Sequence, residues 1–316
     1  MRFIVSGCAG FIGSHLCEYL TNLGYKVTGI DSFSDFYPRE FKEKNIEGLL
    51  KSPLFDFIEK DMLELRLEEI FEEYDAIFHL AAQPGVRTSW GKNFDYYIKD
   101  NIILTQRILE ALKGLKGKRL VFASSSSVYG DSKILPFKED GPLSPVSPYG
   151  VTKLACENLC LLYHKNFGID VVILRYFTVY GPRQRPDMAF HRFFRSILEG
   201  KEIEIFGDGN QTRDFTYVDD IVKATFSAWQ KGISGEVYNL GGGENISLLN
   251  LLRIIENVTG KKLKISFRER EKGDAPHTWA DYSKAKKDLE YTPSVKLELG
   301  LKNQWEWTKK IYGEKK

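Results

Sequence analysis

The sequence predicts an α/β fold in which a doubly wound parallel sheet is followed by a smaller C-terminal α/β lobe. Three observations predict it. Short apolar runs alternate with helical patterns through the first half of the chain, as successive βαβ units require. The first run leads directly into a three-glycine turn that opens a helix, "SGCAGFIGSH". Beyond residue 180 the alternation gives way to loops, single strands and longer helical patterns.

Taken in order, "RFIVSG" is a strand, "GFIGSHLCEYLTNLG" a helix stopped by Gly24, and "KVTGID" a second strand. The strands continue with "FDFIEKDM", "AIFHLAA", "KRLVFAS" and "DVVILRYF". Between them lie the helical runs "NFDYYIKDNIILTQRILEAL" and "YGVTKLACENLCLLYHKNFG". This assigns residues 1–180 to the first lobe and 181–316 mainly to the second, with the chain returning to the first around 214–240. In the second lobe "GPRQRPD" reads as a loop, "AFHRFFRSILEG" and "SLLNLLRIIENVTG" as helices, and "EIEIFGDG" as a strand.

The bulk numbers exclude several classes. A chain of 316 residues with 42% hydrophobic and 28% charged residues is an ordinary globular composition. A net charge of +2 is too small for a nucleic-acid surface. No apolar run approaches the roughly 20 residues of a membrane span. The four cysteines, Cys8, Cys17, Cys156 and Cys160, fall in or at the start of helical patterns. They read as free thiols packed in a core, which places the protein in a reducing cytoplasm, and no metal site is expected.

Gly7, Gly10 and Gly13 follow a strand and open a helix. Glycine there lets backbone amides approach a pyrophosphate, and the helix start adds positive potential. Asp31 ends the next strand, where a carboxylate binds the ribose 2′-hydroxyl of NAD and repels a 2′-phosphate; a helix or turn cap is the other reading. Asp61 fits an adenine-edge contact or an exposed loop carboxylate. "YGVTK" puts Tyr149 and Lys153 on one face of a helix. A neighbouring ammonium favours the phenolate, which makes Tyr149 a candidate general base. The four serines of "ASSSSVYG" sit at the carboxyl end of a buried strand, where open α/β sheets bind their ligands.

"GCAGFIGSH", "HLAAQ", "SSSSVYG", "YGVTK", "GDGNQTRDFTYVDD" and "YNLGGG" together resemble the extended short-chain dehydrogenase/reductase family, specifically its nucleotide-sugar epimerases and dehydratases. The resemblance implies a Rossmann domain over 1–180 that holds NAD, and a second lobe that holds a nucleotide sugar. It implies Ser125, Tyr149 and Lys153 as the catalytic set. It places Phe11, Ile12, Met62, Leu80, Ala81, Ala82, Gln83 and Tyr176 beside the cofactor, together with Gly7, Gly10, Gly13, Asp31 and Asp61. Dehydratases of the family carry an Asp-Glu pair where this chain has Ser126 and Ser127, so 4,6-dehydration is not expected.

The segment "RYFTVYGPRQRPDMAF" with "AAQPGVR" is similar to UDP-glucuronate 4-epimerases. In these, Thr178, Arg185, Ser126 and Ser127 would bind the C5 carboxylate of the sugar. Arg183 is a weaker candidate for the same role, and the other reading of both Arg183 and Arg185 is a solvated loop charge or a phosphate contact. Val86 and Arg87 belong to the same substrate set. Arg213 matches a diphosphate contact, Asp274 a ribose contact, and Arg270 either a phosphate contact or an exposed charge. The expected activity is inversion at C4 of a UDP-sugar, UDP-glucuronate to UDP-galacturonate. The alternatives are a UDP-glucose/UDP-galactose 4-epimerase and a UDP-glucuronate decarboxylase. The resemblance also implies a homodimer built through a helical bundle, with no nucleic-acid or membrane partner.

Overall fold

Strands flanked by apolar residues on both faces are stable only inside a sheet covered on both sides. The structure, a computed structural model, describes residues 1–269 and 273–313. Its first half runs β1 (Arg2–Ser6), α1 (Phe11–Asn22), β2 (Lys26–Asp31), α2 (Arg39–Ile46), β3 (Phe55–Glu59), α3 (Leu67–Phe71) and β4 (Ala76–His79). It continues through α4 (Phe94–Tyr97), α5 (Leu104–Leu112), β5 (Arg119–Ser125), α6 (Pro148–Phe167) and β6 (Asp170–Tyr176). The second half contains β7 (Thr178–Tyr180), α7 (Ala189–Glu199), β8 (Ile203–Phe206), β9 (Thr212–Tyr217) and α8 (Val218–Lys231). It ends with β10 (Val237–Leu240), β11 (Glu244–Ser247), α9 (Leu248–Thr259), β12 (Ile265–Arg268), α10 (Ser283–Leu289) and α11 (Leu297–Tyr312).

Seven strands form one parallel sheet in the order β10-β6-β5-β4-β1-β2-β3. Alternation along β1 shows how it is covered. Phe3 and Val5 point into a core built with α1 and α8, whereas Ile4 points into the opposite core built with α5 and α6. All four cysteines are free and buried in these two layers. The winding direction reverses between β1 and β4, and the crevice at such a reversal is where open sheets bind ligands. Register brings the carboxyl ends of five strands to that edge, with Ser6 level with Ile30 and His79, and Ser125 level with Tyr176.

The remaining strands form a three-stranded sheet, β11-β9-β7, and a two-stranded one, β12-β8. Only Phe177 separates β6 from β7, so the chain crosses from the large sheet to the small one at the edge of the crevice. It then comes back: α8 packs on α1, and β10 pairs with β6.

One predicted element differs. The helix expected as a single run over 93–112 is α4, a π-helical segment Ile98–Ile103, and then α5. The cause is Asn101, a polar residue driven into the core. Its side-chain oxygen accepts from the Gln83 amide at 2.8 Å, and its amide group donates to Thr152 Oγ1 at 2.9 Å. Widening the helix by one residue per turn lets this side chain reach both partners, a common origin of π segments beside functional sites.

Helix α6 carries strong end signals. Ser147 accepts from the Gly150 amide at 3.1 Å, Pro148 occupies the first turn, and Gly168 ends the helix at φ 69°. Both ends are thereby fixed, and so is the rotation that aims Tyr149 and Lys153.

Candidate active site

A cavity of about 440 Å³ opens at the carboxyl ends of the large sheet. One wall is the glycine turn. Gly7 has φ 71°, and a Cβ there would meet the Ala81 amide nitrogen at 2.8 Å. A Cβ on Gly13 would lie 2.1 Å from the Gly7 carbonyl oxygen. The start of α1 has no side-chain cap and no acidic residue in its first turn. Gly10, Phe11, Ile12 and Gly13 line the cavity there. Early helix amides lack intrahelical partners and attract anions, so this cradle fits the pyrophosphate of a dinucleotide.

Asp31 closes the next strand and lines the same cavity. Its oxygens accept from the amides of Ala9 at 3.1 Å and Phe33 at 2.9 Å, so the carboxylate also fixes the turn. Lys42, absent from the sequence reading, stands 3.7 Å from it and is 5% exposed. Burial pulls this ammonium down from the usual lysine range, against the attraction of Asp31. Asp61 and Met62 line the far end. Partial burial pushes the Asp61 carboxyl up, but Lys99 at 2.7 Å and the Leu63 amide hold it below its ordinary value.

Beneath the glycine turn lies a buried relay that the sequence offered only as "HLAAQ". Ser6 Oγ accepts from the amides of Leu80 and Ala81, each at 3.1 Å. It therefore donates its own proton to His79 Nδ1 at 2.8 Å. That fixes a neutral imidazole protonated on Nε2, which faces Thr105 Oγ1 at 3.3 Å. Burial, aided by the Lys153 charge, drives the His79 pKa down to about 3. The relay sets the path of Leu80, Ala81 and Ala82, all of which line the cavity.

The chemical end of the cavity is built by β5 and α6. Ser125, Ser126, Ser127, Tyr149, Lys153, Tyr176, Thr178, Val86 and Arg185 all line it. Ser125 accepts from the Ser127 amide at 3.1 Å and shares a hydrogen bond with Tyr149. Burial raises the Tyr149 phenol above its ordinary value, and the Ser125 bond and the Arg185 guanidinium pull it back. The expected depression by Lys153 is not what this geometry gives. The Lys153 ammonium donates to the Ala123 carbonyl at 2.8 Å, and burial lowers its own pKa. A phenol, a hydroxyl and a buried ammonium at one point of a sheet edge can take a proton from a substrate alcohol.

Other sequence candidates lie elsewhere. Gln83 does not line the cavity; its backbone is paired with Asn101. Arg87, Arg213 and Asp274 gather around residues 274–276 on the second lobe. Arg87 pairs with Asp274 at 2.7 Å, and Arg213 donates to the Pro276 carbonyl at 3.1 Å. Arg270 lies outside the described residues. Arg183 turns to α1, where it pairs with Glu18 at 2.6 Å. The reading also missed Ser32, Ser34, Phe36 and Tyr37 in the lining, although "DSFSDFY" directly after Asp31 marks the loop. Among the described residues no cluster of three metal-ligating side chains occurs, and no helix is long and apolar enough to cross a membrane.

A model of the NAD dependent epimerase/dehydratase family matches residues 3–241. The chain belongs to this family. It is 44% identical over 312 residues to the UDP-glucuronate 4-epimerase of Thermodesulfobacterium geofontis, covering 97% of this chain and 96% of that one. It is 48% identical over 314 residues to an uncharacterized UDP-glucose epimerase, YtcB, of Bacillus subtilis, covering 99% of each. Among solved structures, the UDP-glucuronic acid 4-epimerase of Bacillus cereus, in complex with UDP-glucuronic acid and NAD, superposes with a TM-score of 0.96 at 49% identity. That match covers 99% of this chain and 100% of the other.

His79 gives the fold a pH dependence. Its folded pKa, about 3, lies below the unfolded value near ~6.5. Its contribution is complete above ~6.5 and declines as pH falls towards about 3, with a limiting slope of ~1.4 kcal/mol per pH unit. Urea unfolding between pH 7 and pH 5 is therefore expected to show a shallower pH dependence for His79→Gln than for the parent. Parallel dependences would show that His79 is not buried neutral.

Proposed function

We propose that this chain is a UDP-glucuronate 4-epimerase, interconverting UDP-glucuronate and UDP-galacturonate through a 4-keto sugar. The observation that carries the reading is the guanidinium of Arg185 in the same cavity as Ser125, Tyr149 and Lys153. The likeness to the Bacillus cereus protein, solved with UDP-glucuronic acid and NAD, supports it. NAD bound along the glycine turn supplies a reversible hydride acceptor for C4. The glycine turn and the α1 start hold its pyrophosphate, and Asp31 holds a ribose diol.

Tyr149 takes the O4 proton, with Ser125 fixing the oxygen by a hydrogen bond. The Ser125 bond and the Arg185 charge already act against the upward push of burial on the phenol. Lys153, anchored to the Ala123 carbonyl one helical turn from Tyr149, is placed to hold the cofactor ribose. Arg213 and Asp274 serve the nucleotide from the second lobe. After the sugar turns over about its diphosphate, C4 takes its hydride back on the opposite face while Tyr149 returns the proton to O4.

A uronate carries a hazard that explains the fourth group. Oxidised at C4, it is a β-keto acid, and it loses carbon dioxide once the carboxylate bond aligns with the carbonyl π system. Charge-assisted bonds from Arg185, with hydroxyls from Thr178 and from Ser126 or Ser127, hold the carboxylate out of that alignment. A hexose epimerase has no use for a cation there, and a decarboxylase would need the opposite orientation.

The chain further acts as a cytoplasmic homodimer. Val151, Leu162 and Ile103 are exposed on or beside α5 and α6, and Val151 and Leu162 lie three helical turns apart on one face. Sedimentation is expected to give twice the chain mass of 36.3 kDa; a monomer at micromolar concentration would contradict this.

Arg185→Ala tests the substrate. It is expected to lower kcat/KM for UDP-glucuronate by ~10- to 100-fold, the scale of a charged hydrogen bond, and to affect UDP-glucose far less. Equal losses for both would place Arg185 at the shared nucleotide and remove the reason for choosing a uronate.

A further inference from the structure

Arg185 is shared between the cavity and a residue behind it. Its Nε and Nη2 donate to Asp187 Oδ1 and Oδ2, each at 3.0 Å, in a two-pronged fork. Arg185 lines the cavity and Asp187 does not. The two are separated by Pro186, and the Met188 amide bonds back to the Arg185 carbonyl at 3.0 Å, so the turn itself holds the pair together. The Arg185 side chain is 20% exposed and that of Asp187 37%. Other titratable groups coupled to the guanidinium are the phenols of Tyr37, Tyr97 and Tyr149 and the ammonium of Lys42.

This arrangement sets the charge that a sugar meets. A guanidinium never loses its proton in a protein, so a half-buried one without a partner demands an anion. With Asp187 on one edge the unit is close to neutral. A neutral C6 hydroxymethyl then meets no unbalanced cation, and a carboxylate is drawn in less strongly than by a lone arginine. Two of the five N–H groups are used, which leaves three for a ligand. Epimerisation also needs the sugar to leave its first pose, turn over and settle again, so the carboxylate has to let go of Arg185 in every turnover. A guanidinium stripped of its counter-charge would hold too tightly.

We propose that Asp187 is a specificity-determining residue that balances Arg185, setting how strongly the site prefers a C5 carboxylate over a neutral C6 group and how readily that carboxylate is released. The proposal rests on the uronate reading above. It makes the preference adjustable by a residue outside the cavity, with the residues that meet the sugar left intact.

The test uses the NAD-loaded protein and the variants Asp187→Asn and Asp187→Ala. NAD content and thermal unfolding confirm that each variant is folded. Two quantities are compared with the parent: KM and kcat for UDP-glucuronate, and the inhibition constant of UDP-glucose against it. Both variants are expected to raise the ratio of the UDP-glucose inhibition constant to the UDP-glucuronate KM about tenfold, the scale of one charge-assisted bond. That rise is expected with a lower KM and a lower kcat for the uronate. An unchanged ratio, or a fall caused by a weakened uronate KM, overturns the proposal, because Asp187 would then be inert or merely a prop for Arg185. Failure of the uronate reading looks different: the parent itself would not turn over UDP-glucuronate, or would bind UDP-glucose more tightly.

Discussion

The site depends on one buried ion pair. Glu157 and Arg175 are 2% and 3% exposed, and Arg175 reaches both carboxylate oxygens, at 3.0 Å and 2.7 Å. Two buried charges repay their desolvation only when every remaining polar position is also filled. Here they are. Ser124 donates to Glu157 at 2.5 Å, and Arg175 Nη1 donates to the Tyr129 hydroxyl at 2.8 Å. Tyr129 in turn donates to Asn239 at 2.7 Å. The network thus ties β5, β6, β10 and α6 together at the edge where the cavity opens. Removing either Glu157 or Arg175 would leave the other charge buried and unmatched, at a cost of ~3–5 kcal/mol.

The consequence for chemistry is register. Three successive residues of β5 are each held by a different residue of α6. Ala123 accepts from Lys153, Ser124 donates to Glu157, and Ser125 shares a bond with Tyr149. Lys153 and Glu157 are one helical turn apart, so the clasp fixes both the rotation and the height of α6 against the strand. The serine run is therefore held firmly between strand and helix. Ser124, whose hydroxyl is taken up by Glu157, is as constrained as Ser125.

Most of this was legible because it lies in local pattern. The βαβ alternation, the glycine turn with Asp31, the Tyr149–Lys153 spacing and the serines at the end of a buried strand need only sequence neighbours to be read, whereas the family resemblance singled out Ser125 among them. What was missed arises from contacts that no spacing reveals. Asn101 breaks a helix because its partners, Gln83 and Thr152, lie far along the chain. Lys42 reaches the cavity by folding back over Ser34, and its charge sits beside Asp31 where the sequence offered a lone carboxylate. Arg183 and Arg185 look equivalent in "GPRQRPD", yet a left-handed backbone at Arg183, φ 63°, sends one towards α1, while the other lines the cavity. Asp187 carried no signal until its fork with Arg185 was seen.

The central claim is that the C4 hydrogen leaves and returns to the same carbon while the chain's own groups move only the proton of O4. UDP-glucuronate carrying deuterium at C4 tests this directly, with the product followed by proton NMR. The account predicts an equilibrium mixture with UDP-galacturonate in which deuterium remains at C4 of both sugars, with no stoichiometric release of carbon dioxide. Loss of the deuterium to solvent, or a UDP-pentose as the main product, would contradict it.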